Sequence, residues 1–297
     1  MATSYLAQSL DDFTVRSLLL TMQAREDIHL GDIYIQGDRW RAAFGKTLRD
    51  ITCLEKQSAS NCNHCHKRGQ CFFYLFFLID IPHPYIIAND LTTTSTVMAD
   101  KTFGLQVKLI GFASKDTDTV IHAFRRIGAR GIGTNRGKYD LISAQILDIP
   151  IHEYFKLGND TTSVVLQLDT PLKLKQGHGG LCYGSLSFET FFRLLLKRII
   201  NLNNIYGRGK DFDKHLIMAE KQTLTTKAKE IQSKEATQWI DLMRYSSRQS
   251  KRLKIGGIIG SIVFSGMLKD FYPYLKIGEV LHAGLHTTSG FGRYRII

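Results

Sequence analysis

No stretch of this 297-residue sequence is apolar for long enough to cross a bilayer, which takes about 20 residues. The longest unbroken run, CFFYLFFLI at 71–79, falls far short, and so does IGGIIGSIVFSGML at 255–268. The opening MATSYLAQSLDDF carries two acids and no apolar core, so it does not read as a secretory signal. These absences lead us to expect a soluble, cytoplasmic protein with no membrane partner. Cysteine is scarce and odd in number, five in all. In a cytosolic chain that argues against a disulfide framework. Acidic residues are also short: 27 Asp and Glu face 39 Lys and Arg, a net charge of +12. Such a balance points to a polyanionic partner. What remains is ordinary for a globular chain able to bury a core, with 43% hydrophobic and 22% charged residues.

The two halves resemble each other. FGLQVKLIGFA (103–113) alternates as a strand does, and DTVIHAFRRIG (118–128) has helical spacing at Val120, Ile121, Phe124 and Ile127. The glycine-rich GARGIGTNRG (128–137) follows, then a strand, KYDLISAQIL (138–147). In the second half GIIGSIVFSG (257–266) is the strand, MLKDFYPYLKIG (267–278) the helix, GLHTTSGFG (284–292) the loop and RYRII the last strand. Tyr139 and Tyr294 fall at matching places. Each half also begins with a strand and a helix, 13–24 then 38–51, and 163–175 then 187–202. Ser187 is a good N-cap, and Phe188, Phe191, Phe192, Leu195 and Ile199 give its helix a wide apolar face. The polar segment 224–238 is expected to be an exposed helix inserted in the second half.

The order β-α-β-β-α-β in each half is the ferredoxin-like arrangement, shared with RNA-recognition modules. The predicted class is α+β, with one such domain over 1–152 and a second over 153–297, ending in the glycine-rich loop. Four cysteines, Cys53, Cys62, Cys65 and Cys71, crowd into an insert with the spacing C-x8-C-x2-C-x5-C. A C-x2-C pair turns two thiolates toward one ion, so the insert is expected to hold a single structural zinc. Four thiolates close the shell, so no catalysis is expected at that ion. Cys182 stands alone and reads as a core residue.

DRWRAAFGKTLRDITC, the cysteine insert, GARGIGTNRGKYDL, LDTPLKLK, RYSSRQSKRLKIGGIIGSIVFSG and HAGLHTTSGFGRY together resemble the CRISPR-associated endoribonucleases that process CRISPR repeat transcripts. These belong to the RAMP superfamily, and the likeness is to the branch with an N-terminal cysteine cluster. The resemblance runs in order over nearly the whole chain. It implies a pair of ferredoxin-like domains that bind repeat RNA and cut it once, without metal. The 2′-hydroxyl beside the scissile phosphate attacks, leaving a 2′,3′-cyclic phosphate and a 5′-hydroxyl. It implies CRISPR repeat RNA and its crRNA product as partners, and other CRISPR-associated effector proteins beside them. Monomer and homodimer both stay open. Where many relatives carry a lysine or arginine early in the last glycine loop, this chain has Leu285 and His286, with Arg293 just after the loop.

That reaction needs a base, an acid and positive charge around the phosphate. Histidine suits the first two, having an ordinary pKa of about 6.5. Three histidines stand out. His29 lies between the first strand and first helix, and His282 and His286 flank the start of the last glycine loop. Tyr245 and Ser246 offer hydroxyls to the phosphate. Candidate RNA contacts are Arg244, Arg248, Lys251, Arg252 and Lys254 in the second half, and Arg125, Arg126, Arg130, Arg136 and Lys138 around the first glycine loop. Arg39, Arg41 and Lys46 on the first helix join them, with the backbone at Gly284, Gly290 and Gly292 and the side chain of Arg293. The same motifs also fit a non-cleaving RAMP subunit that binds guide RNA in an effector complex.

Overall fold

The computed structural model describes residues 4–53, 62–156, 160–176, 180–181, 186–246 and 251–297. In chain order its elements are α1 (Tyr5–Ser9), β1 (Thr14–Ala24), β2 (Ile28–His29), α2 (Gln36–Thr52), β3 (Tyr85–Asn89), β4 (Thr96–Val97), β5 (Thr102–Ile110), α3 (Thr117–Arg130) and β6 (Tyr139–Pro150). Then come β7 (Ser163–Leu172), the short pair β8 (Lys175–Gln176) and β9 (Gly180–Leu181), α4 (Phe188–Tyr206), α5 (Lys214–Lys227), β10 (Gln232–Ile240), β11 (Met243–Ser246), β12 (Lys251–Lys254), β13 (Gly257–Ser265), α6 (Tyr272–Leu281) and β14 (Tyr294–Ile296). Val15–Asp148 forms one compact unit, and Ile149–Ile297 with Met1–Thr14 forms the other.

In the first unit the sheet order is β3-β5-β1-β6. Every second residue of β1 from Leu18 to Ala24 points into the core, the period expected of a half-covered strand. Trp40, Phe44 and Leu48, spaced four apart on α2, meet Val120, Phe124 and Ile127 of α3 above that face. Phe44 stacks on Phe124 with centroids 5.3 Å apart. Within the apolar run at 71–79, Tyr74–Leu78 is a π-helical turn, and Phe76 packs on Tyr85 of β3.

The second unit repeats the plan, with sheet order β10-β13-β7-β14. Ser187 caps α4 by accepting from the Thr190 N–H, as its sequence position requires. Phe188, Phe191 and Phe192 pack on Phe264 of β13 and on Phe271, Tyr274 and Tyr294. Tyr139 and Tyr294 do the same work in their own units. Each begins the last strand, lies buried, and donates its hydroxyl 2.7 Å to a helix carbonyl, that of Phe124 and of Leu275 respectively. A helical glycine makes room for each ring: a methyl group on Gly128 would collide with Tyr139, and one on Gly278 with the Tyr294 hydroxyl.

Two readings of the sequence are corrected. Residues 224–238 are not an inserted helix. α5 ends at Lys227, and β10 over Gln232–Ile240 is the second strand of the repeat. Its polar side chains cap α4: the Phe188 N–H donates to Ser233 Oγ at 2.8 Å, and the Leu186 N–H donates to Glu235. The division into units also differs from a cut after residue 152. Residues 4–13 belong with the C-terminal part because the Leu6 N–H donates to Glu220, Asn203 donates to the Ser9 carbonyl and hydroxyl, and Tyr5 packs edge-on against Phe212.

Candidate nucleic-acid interface

The first glycine loop is pressed against the chain that follows β1. Gly131, Gly133 and Arg136 all take positive φ. A methyl group on Gly133 would come 2.5 Å from the His29 carbonyl oxygen, and one on Gly137 2.5 Å from that of Asp27. The Thr134 N–H donates to the His29 carbonyl at 3.0 Å, and the His29 N–H donates to Asn135 Oδ1 at 3.0 Å. Asn135 in turn donates to the Asp27 carbonyl at 2.6 Å. His29 is thereby fixed in the two-residue strand β2, paired with β4. Its exposed ring meets the Thr96 hydroxyl through Nδ1 at 3.0 Å. Arg136 is exposed at the loop tip, and Lys138 is exposed just beyond it.

The last glycine loop clamps the end of β7 in the same way. The Leu285 N–H donates to the Lys173 carbonyl at 2.9 Å, and the Gly292 N–H to the Pro171 carbonyl at 3.0 Å. Thr170 Oγ1 donates to the Gly290 carbonyl at 2.8 Å and accepts from the Arg293 N–H at 2.9 Å. Gly284, Gly290 and Gly292 have φ of +79°, +84° and +68°, and a methyl group on Gly292 would collide with the Ala283 carbonyl. The segment LDTPLKLK is thus the seat of this loop, a role its sequence does not advertise. Arg198 of α4, missed in the sequence, donates to the Leu281 and His282 carbonyls at the end of α6, where the helix dipole favours a cation. Desolvation pushes its pKa down to about 10, so it stays charged at neutral pH.

The three histidines part company here. His29 is exposed. His282 has no accessible surface, holds φ at +57°, and bonds the Phe291 carbonyl through Nδ1 at 3.2 Å. A ring so enclosed presents no atom to a ligand; it holds the loop. His286 is half-buried in the left-handed region, its ring edge-on to Phe291 at 5.8 Å. Arg293 is turned to Asp169, 3.7 Å away, beside the bidentate pair of Arg295 with the same carboxylate. The loop's nearest cation is therefore engaged by an acid within the unit.

Among the other candidates, Lys46, Arg125, Arg126 and Arg130 are exposed on α2 and α3. Arg39 packs over Gly31 and, on another face of α2, Arg41 lies over the Phe77 ring at 5.7 Å, so both side chains are partly covered. Arg244 is half-buried in β11, and Lys254 is exposed at the end of β12. The side chains of Tyr245, Ser246, Lys251 and Arg252 lie outside the described residues, as do Arg248 and Cys182. Residues 54–61 of the cysteine insert, between Cys53 and Cys62, lie outside the described residues. Cys53, Cys62, Cys65 and Cys71 carry free thiols, and among the described residues no three Cys, His, Asp or Glu side chains gather around one point. Among the described residues, too, no helix is long and apolar enough to cross a membrane.

Each of the two ferredoxin-like units thus carries a glycine-rich loop clamped to chain at or just beyond the end of its first strand. Residues 166–294 match the model of the CRISPR-associated endoribonuclease Cas6, and residues 13–156 match a model described as an N-terminal domain. The C-terminal part of the chain therefore matches the Cas6 family. No curated protein matches it. It is similar in fold to the product complex of the Thermus thermophilus Cas6 TTHB231, with TM-score 0.58 and 11% identity over 96% of this chain and 99% of that one. A product complex of the Cas6 TTHA0078 gives TM-score 0.55 at 12% identity, covering 96% and 99% of the two chains. A chain of a partial Cas6-RT-Cas1–Cas2 complex gives 0.54 at 13% identity, covering 96% of this chain and 46% of that one.

Proposed function

We propose that this protein cuts CRISPR repeat RNA once, by in-line attack of the 2′-hydroxyl on the adjacent phosphate, with no metal ion in the step. The O2′–P bond forms as the P–O5′ bond breaks, giving a 2′,3′-cyclic phosphate and a 5′-hydroxyl. The observation that carries this reading is His29, an exposed imidazole whose backbone is pinned by a glycine loop and whose Nδ1 meets Thr96. With Nδ1 so engaged, Nε2 is the atom offered to the 2′-hydroxyl proton. His286, in the other unit, is an alternative candidate for a proton-transfer group. Arg136 and Lys138 supply charge to the phosphate, as do the loop amides.

The buried position of His282 favours a second reading, a Cas6-type subunit that binds crRNA without cutting it, because it removes one of three expected acid–base groups. The relatives found in product complexes and in a Cas6-RT-Cas1–Cas2 complex support retained crRNA and other CRISPR-associated proteins as partners. The test is end-labelled repeat RNA incubated with the purified protein and excess EDTA, beside the same RNA with a 2′-deoxy substitution at the cut. A single cut with a cyclic phosphate end, lost in the deoxy RNA, is the expected result. Tight binding without a cut would leave the second reading.

A further inference from the structure

The C-terminal halves of α2 and α3 enclose a feature that the fold does not need. Lys46, Arg49, Asp50 and Cys53 stand at i, i+3, i+4 and i+7, one stripe on the outer edge of α2. Arg126 and Arg130, four apart on α3, face them. Between the stripes lies an open cleft of about 680 Å³, lined by these residues with Gly45 and Phe73. None of the four cations belongs to the core, which Trp40, Phe44, Leu48 and Phe124 fill from the opposite faces of the same helices.

The charge in the cleft is unbalanced. One acid lines it, Asp50, and Arg130 is paired with it at 2.5 Å. Like charges held this close repel unless an anion sits among them. The wall is aromatic as well as cationic. The Arg49 guanidinium lies over the Phe73 ring at 5.8 Å, and Phe73 stacks on Phe77 at 5.7 Å. Gly45 brings α2 close to this stack: a methyl group there would come 2.8 Å from Phe77. The stripe from 46 to 53 is about 10 Å long at 1.5 Å per residue, longer than one phosphate needs. Cations along a groove beside a stacked aromatic are what a single strand of nucleic acid requires: charge for the backbone and a flat face for a base.

We propose that this cleft binds a single-stranded flank of the RNA, gripping its phosphodiester backbone between the two helical stripes and stacking a base on the Arg49–Phe73 pair. The choice of RNA rests on the reading of the chain as an RNA processor. The site is distinct in sequence from the candidate cleavage residue, since His29 precedes α2 and the cleft is built from its C-terminal half. Arg49, which spacing alone places on the face of Lys46, is its centre.

The experiment uses the full chain and a fluorescein-labelled oligouridine, with anisotropy followed across a salt series. The Lys46→Glu/Arg126→Glu variant is expected to bind at least about tenfold more weakly. The slope of log K against log salt should become shallower by about 0.7 for each lost contact, about 1.4 for the pair. Phe73→Leu should weaken binding about fivefold or more without changing the slope. Both cations are exposed, so the melting temperature should hold; if it falls, Lys46→Gln/Arg126→Gln carries the same test. Unchanged affinity and slope in the variants, failure of the wild type to bind, or equal competition by polyglutamate would each overturn the proposal. Binding through the cleft with no cut in repeat RNA would remove the nuclease reading and leave the cleft. A cut in repeat RNA with oligouridine binding indifferent to the variants would do the reverse.

Discussion

The loop at 131–137 clamps the backbone of residues 27–29, and the loop at 284–292 clamps residues 169–173. The first seat lies just beyond the end of β1 and the second at the end of β7, and both loops lead into a strand that opens on a buried tyrosine. The histidines held by the two clamps end up in opposite places. In the first unit the clamped segment carries His29, outward and exposed, with Arg136 exposed at the loop tip. In the second unit His282 is swallowed to brace the loop, and the nearest arginines close on Asp169. The same scaffold thus occurs twice, but in the first unit the clamped histidine faces water, whereas in the second His282 is enclosed and only the half-buried His286 remains near the surface.

The largest effect expected is at His29. His29→Ala should slow single-turnover cleavage of repeat RNA by about 10²–10⁴-fold while leaving RNA binding intact. An equal loss from His282→Asn, with the melting temperature unchanged, would break the comparison, because a bracing residue cannot lose activity without losing stability.

The next test sharpens it through the glycines. Gly292→Ala puts a methyl group into the Ala283 carbonyl inside a buried loop held at φ +68°, and should cost about 2–3 kcal/mol in urea unfolding. Gly131→Ala meets the Arg136 carbonyl in a loop whose outer residues, 134–136, are exposed, and should cost about half as much. The reverse order would mean that the first loop is the more rigid.

The units should also differ in acid. His83, in the first unit, is held down to about 4 by burial and then by the charge of Arg41. Between pH 6.5 and about 4 the unfolded chain takes up a proton that the folded chain refuses. Stability is therefore full above that window and is lost as pH falls through it, by about 3 kcal/mol at most. His83→Gln should flatten the fall in a pH series of thermal melts. The smallest effect is the most symmetrical: Tyr139→Phe and Tyr294→Phe each remove one buried hydroxyl bond and should each cost about 1.5 kcal/mol. Clearly unequal costs would count against equivalence of the two tyrosines.

The repeat was legible because local chemistry declares it. Ser187 caps its helix, the phenylalanines of α4 share a face, and glycine loops precede matched tyrosines. β10 was not legible, because its Ser233 and Glu235 serve the N-terminus of α4, some 45 residues away in the chain; from sequence alone such polar residues read as a solvated surface. β3 was hidden for a related reason: YIIAN is buried throughout, so it lacks the alternation that marks a half-covered strand. His29 could be picked out by its position between strand and helix. The fate of His282 depended on the Phe291 carbonyl folding back over its ring, which no local pattern encodes.

The short helix α1 gives the chain a particular history. Its N-cap, Ser4, donates to Glu220 across 216 residues, and Asn203 holds Ser9. On a ribosome these first residues emerge long before their partners exist. The first unit has all its strands by Pro150 and can close before Asn203 and Glu220 are made; the second must wait for β14 and then recover a segment that precedes the first unit. The entropy of so long a closure grows only slowly with length, so the cost falls on time, with the apolar side of α1 left uncovered until α4 and α5 arrive.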